Sequence, residues 1–389
     1  MRLLLASRLK LSLQPELVRV SRSVTIGVGL IAGLALLPHR VQAEPLKVAV
    51  VGLEHGHVEG FLRSLPRHSD VQLVGIADEH PELLAKYSKE FNLPETLFFK
   101  SMANMIEVRR PEAVLVYTPI SEHRHAIEIA AQYGVSVMVE KPLTISLEDA
   151  LAIRRTANHY KIQVLVNYET TWYASNRAAY EALQNGSLGP ARRIVVHDGH
   201  QGPMEIGVPP EFLSWLTDPA QNGAGALYDF GCYGVDLATW LMHGETPQTV
   251  TAVVNHDKPE IYPHVDDDST IILQYRGAQA VIQGSWNWPF SRKDMEVYGA
   301  RGYAITIGPD RVRERAGSET EEKTSSAIAL SPPENDSLTY LAAVLQKRFR
   351  PRGDLSSLDT NLIVMQILDA ARESARTGRT VHLNPLGAE

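Results

Sequence analysis

The sequence predicts an α/β protein in two parts: an N-terminal Rossmann-type parallel sheet, then an α+β domain with a largely antiparallel open sheet. The first observation is that continuous apolar runs alternate with helical patterns between Leu46 and about Val166. The second is that strand-like runs after Asn167 follow one another with few helices between them. The third is a length of 389 residues, which leaves room for two domains.

Six strand-like runs in the first half are apolar along their whole length instead of alternating with polar residues. Strands of this kind, separated by helices, indicate a parallel sheet that is covered on both faces. The predicted strands are Val48–Val51, Leu73–Ala77, Thr96–Phe99, Ala113–Tyr117, Val135–Val139 and Val164–Val166. Helical patterns lie at Pro81–Phe91 and Ser121–Tyr133, and Ser146 is a good N-cap for a further helix.

The second half contains five strand-like runs and a closing helix. Since few helices separate these strands, we predict a largely antiparallel sheet with one packed face. The strands are Arg193–His197, Thr249–Val254, Thr270–Tyr275, Ala280–Gly284 and Met295–Tyr298, and the helix runs from about Leu358 to Arg376. We therefore place the first domain at residues 44–166 and the second at residues 167–389.

Residues 1–43 differ from the rest of the chain. A basic lead precedes an uncharged stretch from Val24 to Leu37, and mostly neutral residues then continue to Ala43. This pattern is typical of a secretory signal peptide, and its apolar core is too short for a comfortable membrane span. An uncleaved anchor and a wrongly chosen start codon are the alternatives. We predict an exported protein, periplasmic or secreted, that is cleaved near Ala43 and has no stable membrane span afterwards.

Charge and cysteine content exclude some classes of function. The formal net charge is −7, and no basic block lies outside the N-terminus, so no nucleic-acid partner is expected. The single cysteine, Cys232, cannot form a disulfide within the chain.

The first predicted strand runs directly into Gly52-Leu53-Glu54-His55-Gly56-His57. A glycine at the first position permits the sharp turn that places a pyrophosphate on the N-terminus of the next helix. The usual Gly-x-Gly-x-x-Gly pattern is broken, because Glu54 and His57 hold the second and third glycine positions. A carboxylate facing phosphate would be repulsive, although Gly56 can move the close approach by two residues. A generic strand–turn–helix corner is the alternative interpretation.

An acidic pair, Asp78-Glu79, ends the second predicted strand. Its position suits the carboxylate that hydrogen-bonds the adenosine ribose of a dinucleotide. Because acids repel a 2′-phosphate, we predict NAD as the cofactor and consider NADP less favoured. The pair could instead stabilise the N-terminus of the next helix, where a carboxylate contributes roughly 0.3–1 kcal/mol.

A charged pair, Glu140-Lys141, stands at the end of the fifth apolar strand and is followed by Pro142. Open α/β sheets bind their ligands at the carboxyl ends of the strands, so Lys141 is placed where a nucleotide and a substrate could meet. The alternative is a solvated lysine at the mouth of a loop.

A glycine-rich stretch from Gly223 leads into a second polar constellation. If the segment from Asp229 to about Met242 is helical, Asp229, Tyr233 and Asp236 fall at i, i+4 and i+7 and share one face. A solvated helix face would show the same spacing.

Other polar residues suggest weaker hypotheses. Asn167, Tyr168 and Trp172 follow the sixth strand and could line a sugar-sized site, although interdomain packing is an equal alternative, favoured for Trp172. The spacing of His197, Asp198 and His200 is not a zinc signature. The run at residues 266–268 is interpreted as a solvated acidic turn and not as a calcium loop. No metal is predicted.

Several of these motifs, in this order, resemble the Gfo/Idh/MocA family of nicotinamide-dependent oxidoreductases. The resemblance covers nearly all of the chain from Leu46 to Leu383, and each motif alone is only moderately specific. The motifs are Thr118-Pro119 with His123, Glu140-Lys141-Pro142, Gly186-Ser187-Leu188-Gly189, Gly223-x-Gly225, Asp229-x-Gly231-x-Tyr233-x-x-Asp236, Tyr298-Gly299-Ala300-Arg301-Gly302 and Ser374-Ala375-Arg376-Thr377-Gly378-Arg379.

The resemblance implies roles for individual residues. Lys141 would contact the nicotinamide and the substrate hydroxyl, and Asp229 would bind substrate. The family's proton acceptor is usually a histidine at the position of Tyr233, although some branches carry tyrosine there. Since nearby cations favour phenolate, we predict that Tyr233, aided by Lys141, removes the proton of a secondary alcohol.

The predicted site therefore has three sets of residues. The catalytic residues are Lys141, Tyr233 and Asp229. The cofactor-binding residues are Gly52, Glu54, His55, Gly56, His57, Asp78, Thr118, Pro119, His123, Glu140 and Lys141. The substrate-binding residues are Asn167, Tyr168, Trp172, Asp229 and Asp236.

The resemblance leads to one function and leaves two alternatives. The function is an NAD(P)-dependent oxidoreductase that moves hydride between a secondary alcohol of a sugar or polyol derivative and a tightly bound nicotinamide cofactor. The alternatives are an NAD-dependent glycosidase with no net redox, and a non-catalytic protein that binds nucleotide or sugar on the same fold. A small carbohydrate is the expected partner, and a homo-oligomer is expected from the resemblance.

Overall fold

The computed structural model describes residues 44–351 and 353–387. The predicted signal peptide, residues 1–43, lies outside the described residues, so export and cleavage stay predictions. Within the two described ranges, every helix is too short or too polar to cross a membrane.

The first sheet consists of six parallel strands, as the continuous apolar runs predict. Two neighbouring strands, β4 and β5, are buried along their whole length. The strands are β1 (Leu46–Val51), β2 (Val71–Ala77), β3 (Phe98–Phe99), β4 (Ala113–Val116), β5 (Ser136–Glu140) and β6 (Val164–Asn167). Their order, β3-β2-β1-β4-β5-β6, is that of a Rossmann sheet, so this part of the fold prediction is confirmed.

Five helices connect these strands. Ser101 and Ser146 cap two of them, since each hydroxyl accepts a backbone N–H three residues further on. The helices are α1 (His57–Ser64), α2 (Pro81–Glu90), α3 (Met102–Arg109), α4 (His123–Gln132) and α5 (Leu147–Tyr160). Because β1 lies between β2 and β4, the strand order reverses there and opens a crevice beyond the carboxyl ends of these strands.

The second sheet has nine strands in the order β14-β13-β12-β11-β7-β10-β9-β8-β15. Only the β7–β10 pair is parallel, and the other pairs are antiparallel, which confirms a largely antiparallel second sheet. The strands are β7 (Ala191–Gly199), β8 (Thr249–Asn255), β9 (Asp268–Gln274), β10 (Gln279–Ser285), β11 (Arg292–Gly299), β12 (Gly302–Ile307), β13 (Arg311–Ala316), β14 (Lys323–Ser326) and β15 (Val381–His382).

One face of this sheet is covered by helices, and the most deeply buried of them is α10. Every residue of α10 is buried, and the helix packs between β10 and the final helix, α12. A Cβ added to Gly284 of β10 would lie 2.6 Å from the Gly231 amide nitrogen, so glycine allows this close approach. The helices are α6 (Ala174–Gln184), α7 (Pro210–Leu216), α8 (Pro219–Asn222), α9 (Ala226–Asp229), α10 (Gly231–Leu241), α11 (Ser337–Leu345) and α12 (Leu358–Thr377).

The structure differs from the sequence-based elements in two places. The predicted helix from Asp229 to Met242 is interrupted at Phe230, so Asp229 ends α9 and Tyr233 belongs to α10. Four strands, β12 to β15, were not predicted; β13 and β14 carry mostly polar residues that are paired at an exposed edge.

The C-terminal segment also packs on the first sheet. Leu338 and Leu341 of α11 join the cluster that contains Leu46 and Val48 of β1, and α12 contacts α5. The described residues form one compact unit by their contacts, and the predicted boundary between residues 166 and 167 stays a prediction.

Candidate active site

Lys141 follows the last residue of β5 and reaches the start of the α10 region. Its side chain is only 6% exposed, and Nζ lies 2.5 Å from Asp229 Oδ1 and 3.1 Å from the Asp229 carbonyl oxygen. Burial alone would lower the pKa of Lys141, but the Asp229 carboxylate outweighs it and holds the pKa above its usual value. The ammonium group is therefore charged and fixed.

Asp229 is held from both sides. Lys141 contacts Oδ1, and the Trp286 indole N–H donates to Oδ2 at 2.9 Å. Burial would raise the pKa of Asp229, yet Lys141 keeps it below its usual value. Because both carboxylate oxygens are occupied, Asp229 acts in this structure as the fixed counter-ion of Lys141.

Tyr233 lies in the first turn of α10, and its ring forms part of the same cleft. The ring packs edge-on against Tyr168 at 5.5 Å and stacks with Phe230 at 5.9 Å between centroids. The Tyr233 hydroxyl makes no hydrogen bond to another described residue, which leaves it for a ligand.

The state of this phenol corrects one expectation. The sequence predicts that nearby cations favour phenolate, but burial, followed by the Glu169 carboxylate, holds the pKa of Tyr233 well above 10. The resting form is therefore the neutral phenol, which is a proton donor.

These three residues line a cleft of about 550 Å³, within the range of small-molecule sites. Sequence reasoning missed most of its other lining residues, because they come from distant parts of the chain. The missed residues include Glu169, Tyr173, His200, Phe212, Arg292 and Lys293.

Two predicted substrate residues lie outside both this cleft and its neighbour. The Tyr168 hydroxyl is buried and donates to Asn361 Oδ1 at 3.1 Å, so the ring supports Tyr233 from behind. Asp236 is fully buried in α10, where burial raises its pKa well above 3.8. Asp236 lies one turn after Tyr233 on the same unbroken helix, and this part of α10 is enclosed by the protein on every side.

Two further predicted substrate residues, Asn167 and Trp172, line a second cavity of about 600 Å³, next to the first. The Trp172 indole N–H donates to Asn167 Oδ1 at 3.1 Å, and Asn167 donates in turn to Glu140 Oε1 at 3.1 Å. His57 and Tyr233 line both cavities. Asn167 and Trp172 therefore remain candidates for ligand contact.

A third cavity, of about 180 Å³, opens at the carboxyl ends of β1, β2 and β4. Gly52, Asp78 and Glu79 line it together with the apolar side chains of Met102, Ala126 and Ile129. Acidic groups beside an apolar slot suit the ribose and adenine of a dinucleotide, and the position is that of the sheet's switch point.

In the turn between β1 and α1, some backbone amides donate to other residues of the protein and others are left for a ligand. Those of Leu53 and His55 are used internally, by Asp78 Oδ2 at 2.6 Å and by the Tyr117 carbonyl at 3.1 Å. The amides of Glu54 and Gly56 make no hydrogen bond to another described residue and lie at the start of α1, where an anion is stabilised. Gly52 has φ +84°, and a Cβ there would lie 2.6 Å from the Thr118 amide nitrogen. The site therefore fits the adenosine and pyrophosphate of NAD.

Three predicted cofactor-binding residues, His55, Pro119 and His123, line none of these three cavities. The His55 ring is buried and stacks on Phe212 at 4.5 Å. His123 is fully buried with Nδ1 3.2 Å from the Leu143 carbonyl oxygen, so it positions the loop after Lys141; burial lowers its pKa to about 4. Pro119 is buried and lines none of the three cavities, whereas Thr118 lines the adenosine cavity.

Glu140 pairs with residues from other segments and not with the adjacent Lys141. Its Oε2 lies 3.0 Å from His57 Nδ1. Burial would raise the pKa of Glu140, but His57 keeps it low. This pair joins the end of β5 to the start of α1, at the border of the two larger cavities.

Possible metal ligands come together in two places among the described residues. Ligand atoms of His55, His57 and Glu140, and those of Glu54, Asp78 and His80, lie within 4.8 Å of one another. In each group one residue already accepts backbone N–H groups: His55 Nδ1 from His57, and Asp78 from Leu53 and His80. Neither group is therefore preorganised for a metal ion.

The acidic run near residue 267 is not a solvated turn. Asp266 accepts the amides of Gly225 and Leu227, and Asp267 accepts those of Asp257 and Lys258. Asp266 therefore fixes the junction between the glycine-rich segment and α9, and Asp267 holds the segment that follows β8.

Glu54 leads to a pH prediction. It lines the adenosine cavity, and burial raises its pKa to about 7. Below that pH the neutral acid tolerates a phosphate nearby, and above it the carboxylate repels it. We expect NAD affinity to fall about tenfold as the pH rises through 7, a Coulomb effect on the order of 1 kcal/mol, and Glu54→Gln to remove most of this dependence.

Isothermal titration of NAD across that pH interval measures the effect. Glu59→Gln is the control, since Glu59 lies in the first turn of α1, the helix that follows Glu54, but pairs with Arg63. A pH dependence that persists unchanged in Glu54→Gln would contradict the assignment.

Comparison with known proteins agrees with this geometry. Residues 46–168 match a family model described as "Oxidoreductase family, NAD-binding Rossmann fold", and residues 176–305 match the GFO/IDH/MocA C-terminal domain. A D-apiose dehydrogenase of Paraburkholderia graminis is 24% identical over 82% of this chain and 84% of its own length. A dTDP-3,4-didehydro-2,6-dideoxy-alpha-D-glucose 3-reductase of Saccharopolyspora spinosa is 23% identical over 67% of this chain and 74% of its own length.

A solved structure shows the same fold. The aldose-aldose oxidoreductase from Caulobacter crescentus, complexed with glycerol, superposes with a TM-score of 0.75 at 24% identity, over 87% of this chain and 100% of its own. The two family matches together cover the first sheet and the second sheet as far as residue 305, and the chain therefore belongs to the Gfo/Idh/MocA family of oxidoreductases, with an NAD-binding Rossmann domain.

Proposed function

We propose that this oxidoreductase transfers hydride between NAD and a secondary alcohol, or the corresponding ketone, of a sugar or polyol derivative. The observation that carries the proposal is the convergence of Lys141, Asp229 and Tyr233 in one cleft at the carboxyl end of β5. Two relatives, the D-apiose dehydrogenase and the dTDP-sugar 3-reductase, have sugar substrates by name, which supports a carbohydrate.

The chain's own residues have distinct roles in this proposal. Lys141, oriented by Asp229, donates to the substrate oxygen and stabilises the negative charge that develops there. Tyr233, a neutral phenol at rest, donates a proton to that oxygen during carbonyl reduction, and its phenolate takes the proton back during alcohol oxidation. NAD, when bound, supplies or accepts the hydride.

The acidic groups around the adenosine cavity favour NAD over NADP. The acidic residues that line this cavity outnumber the basic ones. The acidic residues are Glu54, Asp78, Glu79 and Glu122, and the basic residues are Lys100, His80 and His125. A 2′-phosphate placed among these carboxylates would be repelled and poorly hydrated. The backbone contacts of Asp78 fix its carboxylate in place, so the repulsion cannot be relieved by rotating the side chain away.

The test starts with cofactor binding and proceeds to turnover. We expect NAD to bind at least about tenfold more tightly than NADP, a preference of about 1.4 kcal/mol. The NAD-loaded protein is then mixed with a panel of sugars and polyols while the near-ultraviolet band of reduced nicotinamide is followed. Reduction by at least one polyol supports the proposal, and absence of both NAD binding and reduction would contradict it.

A further inference from the structure

A charged pair next to Tyr233 has no part in the roles described above. Lys293 comes from β11 of the second sheet, and Glu169 comes from the short 3-10 turn that follows β6. Lys293 Nζ forms an ion pair with Glu169 Oε2, and Glu169 Oε1 accepts the Tyr173 hydroxyl at 2.5 Å. Lys293, Glu169 and Tyr173 all line the cleft with Tyr233.

The ammonium group of Lys293 is closer to the Tyr233 ring than that of Lys141 is. Its Nζ lies 4.5 Å from the centroid of the Tyr233 ring, whereas Lys141 Nζ lies 5.3 Å from it. A cation at this distance is attracted to the ring face and favours negative charge on the ring's oxygen. Lys141 is bound twice by Asp229, so part of its charge is already offset there.

Glu169 has the opposite effect and disfavours negative charge on the Tyr233 oxygen. After burial, its carboxylate is the largest influence that raises the pKa of Tyr233. Burial would raise the pKa of Glu169 itself, but Lys293 keeps it low, so the carboxylate stays ionised. The pair therefore places opposite charges beside one phenol.

We propose that Lys293 is a positioning residue that makes Tyr233 a better proton acceptor, and that Glu169 restrains this effect by pairing with Lys293. The inference rests on the proposed function for its role in turnover.

Other charged and titratable groups also face Tyr233 and stay constant in the test. Lys141 and Glu140 approach from the end of β5, and Asp229 and Cys232 approach from the α9–α10 junction. Tyr168 packs on the ring from the end of β6. Only the Lys293–Glu169 pair is changed, so a shift in proton exchange by Tyr233 can be assigned to it.

Two neutralising substitutions give opposite predictions. Lys293→Met removes the cation, and we expect alcohol oxidation near neutral pH to slow about tenfold, with the rising limb of its pH profile moved up by about one unit. Glu169→Gln removes the restraint, and we expect a similar acceleration, with the limb moved down by about one unit. Lys293→Arg keeps the charge and should stay close to the wild-type profile.

Lys86→Met is the matched control. Lys86 Nζ also pairs with a glutamate, Glu211, at 2.5 Å and also lies over a tyrosine ring, Tyr87, at 5.2 Å, but it lines none of the cavities described above. The pH profile of alcohol oxidation by Lys86→Met should match that of the wild type. Shifts in the same direction for Lys293→Met and Glu169→Gln, or no shift in either, would overturn the proposal.

A second readout works without turnover. The tyrosinate absorbance is titrated in wild-type protein, in Glu169→Gln and in Glu169→Gln/Tyr233→Phe. Because Tyr173 donates to Glu169, we expect two tyrosines, Tyr173 and Tyr233, to ionise at lower pH in Glu169→Gln than in wild type, and only one of these two changes to remain when Tyr233 is also replaced. If no polyol is oxidised but the Tyr233 ionisation shifts, the proposed reaction fails and the pairing stands. If a polyol is oxidised and neither the pH profile nor the Tyr233 ionisation moves, the pairing fails alone.

Discussion

Replacing Lys141 by methionine is expected to lower turnover by at least about 10²–10³-fold, because it removes the donor that stabilises charge on the substrate oxygen. The same substitution should lower the free energy of unfolding by about 3–5 kcal/mol, since it leaves Asp229 buried without its counter-ion. Turnover with a responsive polyol and chemical denaturation measure the two effects.

A double substitution separates these two losses. In Lys141→Met/Asp229→Asn neither member of the buried pair is charged, and the introduced amide oxygen can still accept the Trp286 indole N–H that now binds Asp229 Oδ2. We expect most of the stability to return while turnover stays low. Recovery of turnover in the double variant, or an unchanged rate in Lys141→Met, would show that the ammonium group is not part of the chemistry.

Replacing Tyr233 by phenylalanine is expected to lower turnover by about 10²–10⁴-fold, the range for loss of a general acid–base group. The fold should be almost unaffected, within about 0.5 kcal/mol, because the hydroxyl makes no hydrogen bond to another described residue. NAD affinity should also be retained, since the phenol is remote from the adenosine cavity.

The direction of the reaction gives this variant a second readout. Because the resting group is a neutral phenol, carbonyl reduction in the wild type should be nearly independent of pH around neutrality, and alcohol oxidation should rise toward alkaline pH. Tyr233→Phe should lose both behaviours. A folded variant with wild-type rates in both directions would remove Tyr233 from the mechanism.

The position of Lys141 could be predicted because it depends on local sequence and one general rule. An apolar strand that ends in a charged pair before proline must deliver those residues to the carboxyl edge of the sheet. The turn at Gly52 was predictable for the same reason, because its conformation is set within a few residues.

Contacts between distant segments could not be predicted in this way. Lys293 and Glu169 are separated by 124 positions in the sequence, and nothing local to either residue indicates that they pair beside Tyr233. Helical spacing placed Asp236 near Tyr233, but spacing alone could not show that α10 is buried on every side, so the burial of Asp236 was not predictable.

Burial explains the remaining differences. His55 and His123 stand at motif positions, but a motif does not show whether an imidazole points to a ligand or into the core, and both are buried. The acidic run near Asp267 looked solvated in the sequence, yet its carboxylates accept backbone amides that were not visible as partners.

Lys141 and Tyr233 are expected to act on one substrate oxygen beside the bound cofactor. The most direct test of this expectation is a crystal structure of Tyr233→Phe with NAD and a polyol that the wild-type protein oxidises. We expect a substrate hydroxyl next to the nicotinamide and within hydrogen-bond distance of Lys141 Nζ. The same hydroxyl should face the edge of the introduced phenyl ring where the phenol oxygen lies in the wild type. A polyol bound elsewhere, or an ammonium group turned away from it while still paired with Asp229, would contradict the account.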